Sequence, residues 1–226
     1  MEVDIWHECI KHLKMDKTLQ KRLLQLLYEN DEEHIGSCFS GLEIMDNIFK
    51  TKDKKDKFIL SCGHLGFALY AVLEKHYPNI NAQHLVDKHG GHPHMDIENH
   101  IQCSTGSLGL GITIAVGMAL ANRDQKIHVL ISDGECAEGS IWESLRYIKE
   151  YNIDNISIHC NVNGYAGYDA LNSEYLIKRL KAFLPNINIH KTNSSVFPFL
   201  KGIGAHYYKM NKNDYNKALK LIENEC

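Results

Sequence analysis

From residue 127 onwards, the sequence alternates between short apolar runs and longer segments with helical spacing of apolar residues. Two runs, at 127–132 and 155–161, have the length and the isoleucine and valine content of buried strands. Further segments complete the alternation, with helices predicted at 138–151, 174–183 and 213–224 and a short strand at 187–190. Such alternation is typical of a parallel sheet with helices on both faces. The sequence therefore predicts an α/β fold with a doubly wound, mostly parallel sheet.

The first half of the chain is mostly helical in pattern, with one early strand at 58–60. Apolar spacing predicts helices at 3–29 (broken near residue 15), 41–49, 65–76 and 106–122. Residues 79–105 are rich in histidine, asparagine and glycine, and they are predicted to be irregular. No linker divides the chain, so we expect residues 1–226 to form a single domain with a helical N-terminal segment at 1–50.

Composition and charge exclude several classes of partner. The chain has 25 lysines and arginines against 28 aspartates and glutamates, which leaves no basic field for nucleic acid. No apolar run approaches the roughly 20 residues of a membrane-spanning helix, and the N-terminus lacks a secretory pattern. The seven cysteines form no CxxC pair and indicate reduced thiols. We expect a cytoplasmic protein that binds neither nucleic acid nor membrane.

Oxygen-bearing side chains follow two of the predicted strands. Asp133, Gly134 and Glu135 come directly after the run at 127–132, and Asn163 stands shortly after the run at 155–161. Because parallel strands end at the same edge of a sheet, Asp133 and Asn163 are predicted to share one cation. A carboxylate, an amide oxygen and a backbone carbonyl leave places for phosphate and water, as Mg²⁺ prefers, although Ca²⁺ and Mn²⁺ use the same ligands.

A glycine-rich segment precedes the predicted helix of small residues. Residues 104–111 read STGSLGLG, which places hydroxyls and exposed N–H groups where an anion is favoured by the helix dipole. Taken singly, these signals are weak, because an aspartate–glycine pair after a strand is often an ordinary turn. The five histidines at 84, 89, 92, 94 and 100 also allow a zinc loop, but their spacing does not follow structural zinc sites.

In their order and separation, these motifs resemble the N-terminal part of the transketolase family over roughly residues 30–170. The segments that carry the resemblance are 34–37 (HIGS), 56–64 (DKFILSCGH), 91–93 (GHP), 104–109 (STGSLG), 115–121 (AVGMALA), 132–139 (SDGECAEG) and 163–164 (NG). Asp133 and Asn163 stand 30 residues apart, the separation of the family's thiamine diphosphate motif. Ser132 replaces the glycine, and Leu110 the glutamine, that the family most often has.

The resemblance implies that thiamine diphosphate and a divalent metal ion are bound here. It implies metal ligands at Asp133, Asn163 and the Tyr165 carbonyl. The implied cofactor contacts are Gly106, Ser107, Leu108, Gly134, Glu135 and Asn163. The implied catalytic residues are His34, His64, His92, Glu138 and His206. The histidines would handle protons or bind sugar hydroxyls, and Glu138 would touch the cofactor-activating glutamate of a partner.

The resemblance also implies a missing half. In this family the cofactor lies between two domains, and the second domain supplies the activating glutamate. We therefore expect the N-terminal subunit of a two-subunit transketolase that transfers a two-carbon ketol unit between sugars. Its partner would be a separate C-terminal subunit, in a heterotetramer or around a homodimer of this chain. The alternatives are a catalytically silent module of the same fold and half of an enzyme resembling deoxyxylulose-phosphate synthase.

Overall fold

The computed structural model describes residues 16–167 and 169–224. Its sheet has four parallel strands, which lie side by side in chain order: β1 (Lys57–Leu60), β2 (Ile127–Ser132), β3 (Ile156–Val162) and β4 (Asn188–Lys191). The α-helices of these residues are α1 (Lys17–Glu29), α2 (Ile35–Thr51), α3 (Gly66–His76), α4 (Ala82–His89), α5 (Leu110–Ala121), α6 (Gly139–Glu150), α7 (Ser173–Phe183) and α8 (Lys212–Asn224). The predicted α/β fold with a parallel sheet is confirmed.

Each face of the sheet is covered by its own helices and has its own core. Successive side chains of a strand point to opposite faces. Val129 and Ile131 accordingly pack with α5, α6 and α7, whereas Leu130 packs in the core that includes α1 to α4 and α8. Burying one such leucine, isoleucine or valine side chain contributes about 1.5–3 kcal/mol. The predicted placement of helices on both faces is therefore confirmed, and apolar burial holds the layers together.

Three helices differ from the prediction: α5 begins at Leu110 and not at 106, and α4 and α2 differ more. The segment at 79–105, predicted to be irregular, contains α4, which begins where the Asn81 side chain accepts a hydrogen bond from the backbone N–H of His84. Eight residues are too few to give a clear period, although Leu85 and Val86 are buried. Helix α2 begins at Ile35, ahead of the predicted 41. The prediction missed this start because the first turns are buried on every side and carry no polar stripe. The first half of the helical pair predicted at 3–29 lies outside the described residues.

Parallel strands bring their carboxyl ends to one edge of the sheet. After β1 the chain reaches His64, after β2 it reaches Asp133, and after β3 it reaches Asn163. Ligands of such sheets bind at this edge. None of the helices within 16–167 and 169–224 combines the length and apolarity needed to cross a membrane.

Candidate active site

A pocket of about 200 Å³ opens at the carboxyl edge of the sheet. It is lined by His34, His64, His92, Gly106, Leu108, Ser132, Asp133, Gly134, Asn163, Tyr165, Gly167, His206 and Tyr207. The fold thus brings together most of the positions predicted from sequence, across more than 170 residues of chain. The predicted positions outside this lining are Ser107, Glu135 and Glu138. Ser107 and Glu138 are exposed, and Glu135 is fully buried.

Asp133 supplies the pocket with a buried carboxylate. One of its oxygens accepts a hydrogen bond from the backbone N–H of Gly164 at 2.7 Å, and the other from that of Gly134 at 3.1 Å. Burial raises the pKa of Asp133 to about 6, and the backbone N–H groups only partly oppose this rise. Within the described part of the chain, no lysine or arginine forms an ion pair with this carboxylate. A cation bound here would provide the missing positive charge.

The end of β3 is held against the same edge by its asparagines. The Asn163 side chain accepts a hydrogen bond from the backbone N–H of Tyr165 at 3.0 Å, which closes a tight turn. Gly164 within this turn has φ near 90°, a left-handed conformation that favours glycine. The buried Asn161 donates to the Ser40 hydroxyl of α2 at 2.8 Å. Strand β3 and helix α2 are thus fixed to one another next to the pocket.

The donor set of this edge suits a hard cation with an anionic ligand. Among the described residues, no group of three histidine, cysteine, aspartate or glutamate side chains is arranged to hold a metal ion. A cation beside Asp133 would therefore take one carboxylate, neutral protein oxygens, and further oxygens from a ligand and water. That combination is typical of Mg²⁺ bound together with a phosphate group.

The zinc loop considered for the histidines of residues 84–100 does not form in the structure. His89 bonds to the Asp96 carboxylate at 3.1 Å, and His100 stacks on Tyr77 with ring centroids 3.8 Å apart. His92 instead faces the pocket. His89 and His94 are neighbours, with ring centroids 6.1 Å apart, but no three of these rings are arranged around one metal position within the described residues.

Four imidazoles, those of His34, His64, His92 and His206, line the pocket. The ring centroid of His34 lies 5.5 Å from that of His64 and 6.3 Å from that of His92, and His206 stands 6.0 Å from Tyr165. Burial, aided by the neighbouring histidines, lowers the pKa of His64 to about 3. Burial also lowers the pKa values of His92 and His206. These three rings are neutral near pH 7, and each offers one acceptor nitrogen.

The neutral state of His64 makes stability depend on pH. A histidine in an unfolded chain has a pKa of about 6.5, so the unfolded state binds more protons between pH 6.5 and 3. The contribution of His64 to the free energy of unfolding is therefore complete above pH 6.5, and it is lost as the pH falls. Both proteins should lose stability between pH 7 and pH 5. We expect the loss in free energy of unfolding to be smaller in His64→Gln than in the wild type, by about 1–2 kcal/mol. Urea denaturation at both pH values measures this. An equal change in the free energy of unfolding in the two proteins would contradict it.

The glycine-rich segment forms the floor of the pocket and is supported from below by Glu135. One carboxylate oxygen of Glu135 accepts hydrogen bonds from the backbone N–H of Gly109 and the Ser61 hydroxyl, both at 2.8 Å. The other oxygen accepts from the backbone N–H of Ser132 at 3.2 Å. Burial raises the pKa of Glu135 to about 7 despite these bonds. Glu135 thus ties the ends of β1 and β2 to the turn before α5.

Glycine is required where this segment passes closest to its neighbours. Gly106 has φ near 149°, and a Cβ atom there would lie 3.2 Å from the His92 ring. Gly109 has φ near 79°, and its Cβ would meet the Ser140 hydroxyl at 2.2 Å. The Gly106 backbone therefore forms part of the pocket lining, next to Leu108.

Three residues of the site were missed at the level of sequence. Tyr207 lines the pocket with its ring centroid 5.6 Å from that of His34, and Gly167 lines it as well. Glu32 hydrogen-bonds to the ring of His34 at 2.8 Å. No motif marks any of them. The only signal was their position, next to His206, to the turn after Asn163 and to His34 respectively.

The sequence of residues 49–166 matches the family described as "Transketolase, thiamine diphosphate binding domain", over just more than half of the chain. The chain belongs to this family. Among its relatives is one of the subunits of the apulose-4-phosphate transketolase of Phocaeicola vulgatus, with 34% identity over 156 residues, which are 61% of this chain and 55% of that protein. Human transketolase is 31% identical over 150 residues, which are 58% of this chain and 24% of the human protein.

Solved transketolases share the fold. The structure of transketolase from Leishmania mexicana superposes with a TM-score of 0.70 at 17% identity, and the match covers 92% of this chain and 40% of that one. At such low identity the likeness concerns the fold. The chain spans about half the length of its Phocaeicola relative, and its sequence match covers about a quarter of human transketolase.

Proposed function

We propose that this chain is the diphosphate-side subunit of a two-subunit, thiamine diphosphate-dependent transketolase. The observation that carries the proposal is the composition of one pocket. It joins an uncompensated buried carboxylate, Asp133, to a glycine-rich floor and a group of imidazoles. The Asp133 carboxylate suits a metal-bound diphosphate, and the imidazoles suit the hydroxyl groups of a sugar. A catalytically silent module would not need this arrangement, and that alternative is not favoured.

The residues present fit the cofactor at both of its ends. Asp133, Asn163 and the Tyr165 carbonyl would hold Mg²⁺, or Ca²⁺ or Mn²⁺, together with the diphosphate, and Gly134 would let it approach the backbone. Residues 106–108 would lie against the rings. The buried Nδ1 of His206 has no hydrogen-bond partner within the described structure, so this nitrogen is available to form a hydrogen bond with a ligand. When bound, thiamine diphosphate supplies the nucleophilic carbon and the electron sink for C–C cleavage.

The chain's own side chains would position the sugar and move its protons. A neutral imidazole binds a hydroxyl at its free nitrogen and can accept its proton in the transition state, the role proposed for His64, His92 and His206. Leu108 would shape the floor under the reacting rings. Glu138, exposed beyond the pocket beside Gly109, is available to a glutamate of the partner.

The partner is proposed to be a separate C-terminal subunit that supplies the pyrimidine-side domain. Two relatives, from Phocaeicola vulgatus and Actinobacillus succinogenes, are each named as one subunit of an apulose-4-phosphate transketolase, which implies a further subunit in those proteins. We propose that this chain forms a single domain, works in the cytoplasm, and assembles as a heterotetramer or around a homodimer of itself. The substrates would be sugars, and sugar phosphates in particular.

Substitution of the pocket histidines is expected to affect turnover and not cofactor binding. His64→Ala and His92→Ala should lower kcat about 10²–10⁴-fold, the usual contribution of a general acid–base group. Affinity for thiamine diphosphate should change little, because the diphosphate would be held at Asp133 on the strand ends. His94→Ala is the matched control, since His94 is exposed and does not line the pocket. Steady-state rates with parallel cofactor titrations distinguish the outcomes, and a loss confined to cofactor affinity would contradict a proton-handling role.

The proposed activity is tested by a substrate screen on the assembled two-chain enzyme. Ketose phosphates are offered as donors and aldose phosphates as acceptors, and the products are identified by mass spectrometry. We expect a product two carbons longer than the acceptor from at least one pair. Cofactor binding without any such product, across donors and acceptors, would support the silent module and reject the transferase.

A further inference from the structure

Glu32 stands shortly before helix α2 and is hydrogen-bonded to the two residues that precede this helix. Its Oε1 atom accepts hydrogen bonds from the backbone N–H groups of Glu33 and His34, both at 3.0 Å, and from Nδ1 of the His34 ring at 2.8 Å. Only 15% of the Glu32 side chain is exposed. Three N–H groups thus converge on one oxygen atom beside the pocket.

The carboxylate of Glu32 is ionised at neutral pH. Burial acts to raise its pKa, but the hydrogen bonds from the His34 ring and backbone outweigh burial and leave the pKa below its ordinary value. An ionised carboxylate only accepts hydrogen bonds. The nitrogen that faces it must therefore carry the hydrogen. In a neutral imidazole the second nitrogen then holds the free lone pair.

We infer that Glu32 is a positioning residue that fixes the Nδ1–H tautomer of His34 and thereby directs the Nε2 lone pair of that ring into the pocket. The ring of His34 lines the pocket and lies 5.5 Å from the ring of His64 and 5.6 Å from that of Tyr207. Its Nδ1 edge faces Glu32. The assignment of a hydroxyl of a sugar as the partner of Nε2 rests on the proposed function, whereas the tautomer does not.

His34 differs in this respect from the other imidazoles of the site. Within 16–167 and 169–224, neither His64, His92 nor His206 has a carboxylate in hydrogen-bond contact. Their tautomers are free to follow whatever ligand is bound, but that of His34 is set by the chain. Among the contacts of the described residues, His34 is therefore the one pocket histidine whose acceptor nitrogen is defined before a sugar arrives.

Glu32 also contacts the loop that carries His92. A Cβ atom on Gly91 would lie 2.9 Å from Oε2 of Glu32, so this carboxylate oxygen rests against the backbone one residue before His92. The same side chain thus sits between His34 and the loop of His92. Its negative charge is balanced there when a proton moves onto Nε2 of His34, because the resulting imidazolium stays hydrogen-bonded to a carboxylate.

The tautomer is measured directly by ¹⁵N NMR of the full chain with labelled histidine, in which His34→Gln identifies the signals of His34. We expect the wild type to have hydrogen on Nδ1. Glu32→Gln keeps an oxygen acceptor and should keep this tautomer, whereas Glu32→Ala should shift the ring toward Nε2–H. Glu33→Gln is the matched control, since the Glu33 carboxylate faces Lys209 at 3.4 Å and not the histidine. A wild-type ring with hydrogen on Nε2 alone would overturn the inference, even if Glu32→Ala did not fold.

The activity of the assembled enzyme provides a second test of the role of Glu32. Loss of a residue that orients a functional histidine typically lowers activity about 10–100-fold. We expect this loss in kcat for Glu32→Ala, with little change in KM or cofactor affinity, and substantial rescue in Glu32→Gln. Equal losses in the two variants would reject the role of Glu32 as a hydrogen-bond acceptor. If the tautomers were as expected but the assembled enzyme transferred no ketol unit, the proposed function would be rejected. The assignment of Glu32 would remain intact.

Discussion

Purified alone, with thiamine diphosphate and Mg²⁺, the chain is expected to transfer no ketol unit, and activity should appear when the C-terminal partner is added. The pocket lining explains why. Asp133 is its only carboxylate, and no lysine or arginine of the described residues lines it. A diphosphate and a sugar phosphate need more positive charge than one divalent ion supplies. We expect the partner to provide those cations together with the carboxylate that activates the cofactor.

We expect the partner to contact an exposed apolar surface beside the pocket. Leu110 and Ile114, on the first turns of α5, are 50% and 38% exposed and directly follow the glycine-rich floor. Exposed apolar residues next to an open site are typical of a contact face. Ketol transfer is measured with the highly purified chain, with the partner, and with both together. Robust turnover by this chain alone would reject the two-subunit enzyme.

Asp133→Ala and Asn163→Ala are each expected to abolish metal-dependent binding of thiamine diphosphate in the assembled enzyme. The first removes the carboxylate of the proposed metal site, and the second removes an amide oxygen that no other side chain of the pocket replaces. The fold should persist, because both residues follow strands and neither belongs to an apolar core. Removing a buried carboxylate also relieves the desolvation that raises the pKa of Asp133.

Calorimetry with cofactor, with and without Mg²⁺, measures this effect, and thermal unfolding monitors the fold. Asp124→Ala serves as the control, because Asp124 is an exposed aspartate in the turn before β2, away from the pocket. Undiminished metal-dependent binding by either pocket variant would remove that residue from the metal site. A variant that lost cofactor binding together with its cooperative thermal unfolding would instead indicate a general defect of the fold.

The parts of the fold that follow from local patterns were predictable from the sequence. Strand β2 begins and ends where its apolar run does, and α6 differs from its predicted bounds by one residue at each end. Motifs in fixed order placed Asp133 and Asn163 at one edge, because parallel strands leave no other arrangement. Helix α4 escaped prediction because it is short and owes its start to a single asparagine cap.

Contacts between distant segments were not predictable. Tyr207 reaches the pocket because the C-terminal part of the chain packs against α2, and no periodicity signals such a contact. Glu135 lies within a recognisable motif, yet only the structure places it under the floor with its oxygens on Ser61, Gly109 and Ser132. Its proposed direct contact with the cofactor remains a prediction, and its hydrogen bonds favour a supporting role.

The two backbone hydrogen bonds to Asp133 bear on how long a ligand would stay. A carboxylate held by Gly134 and Gly164 loses its rotational freedom when the chain folds, so little ordering is left for the moment of binding. The open side of the pocket would gain no such order from this chain, since its cover would belong to the proposed partner. The charged end of the cofactor would then find its place early, and the lifetime of the complex would be set by how firmly the two chains stay together.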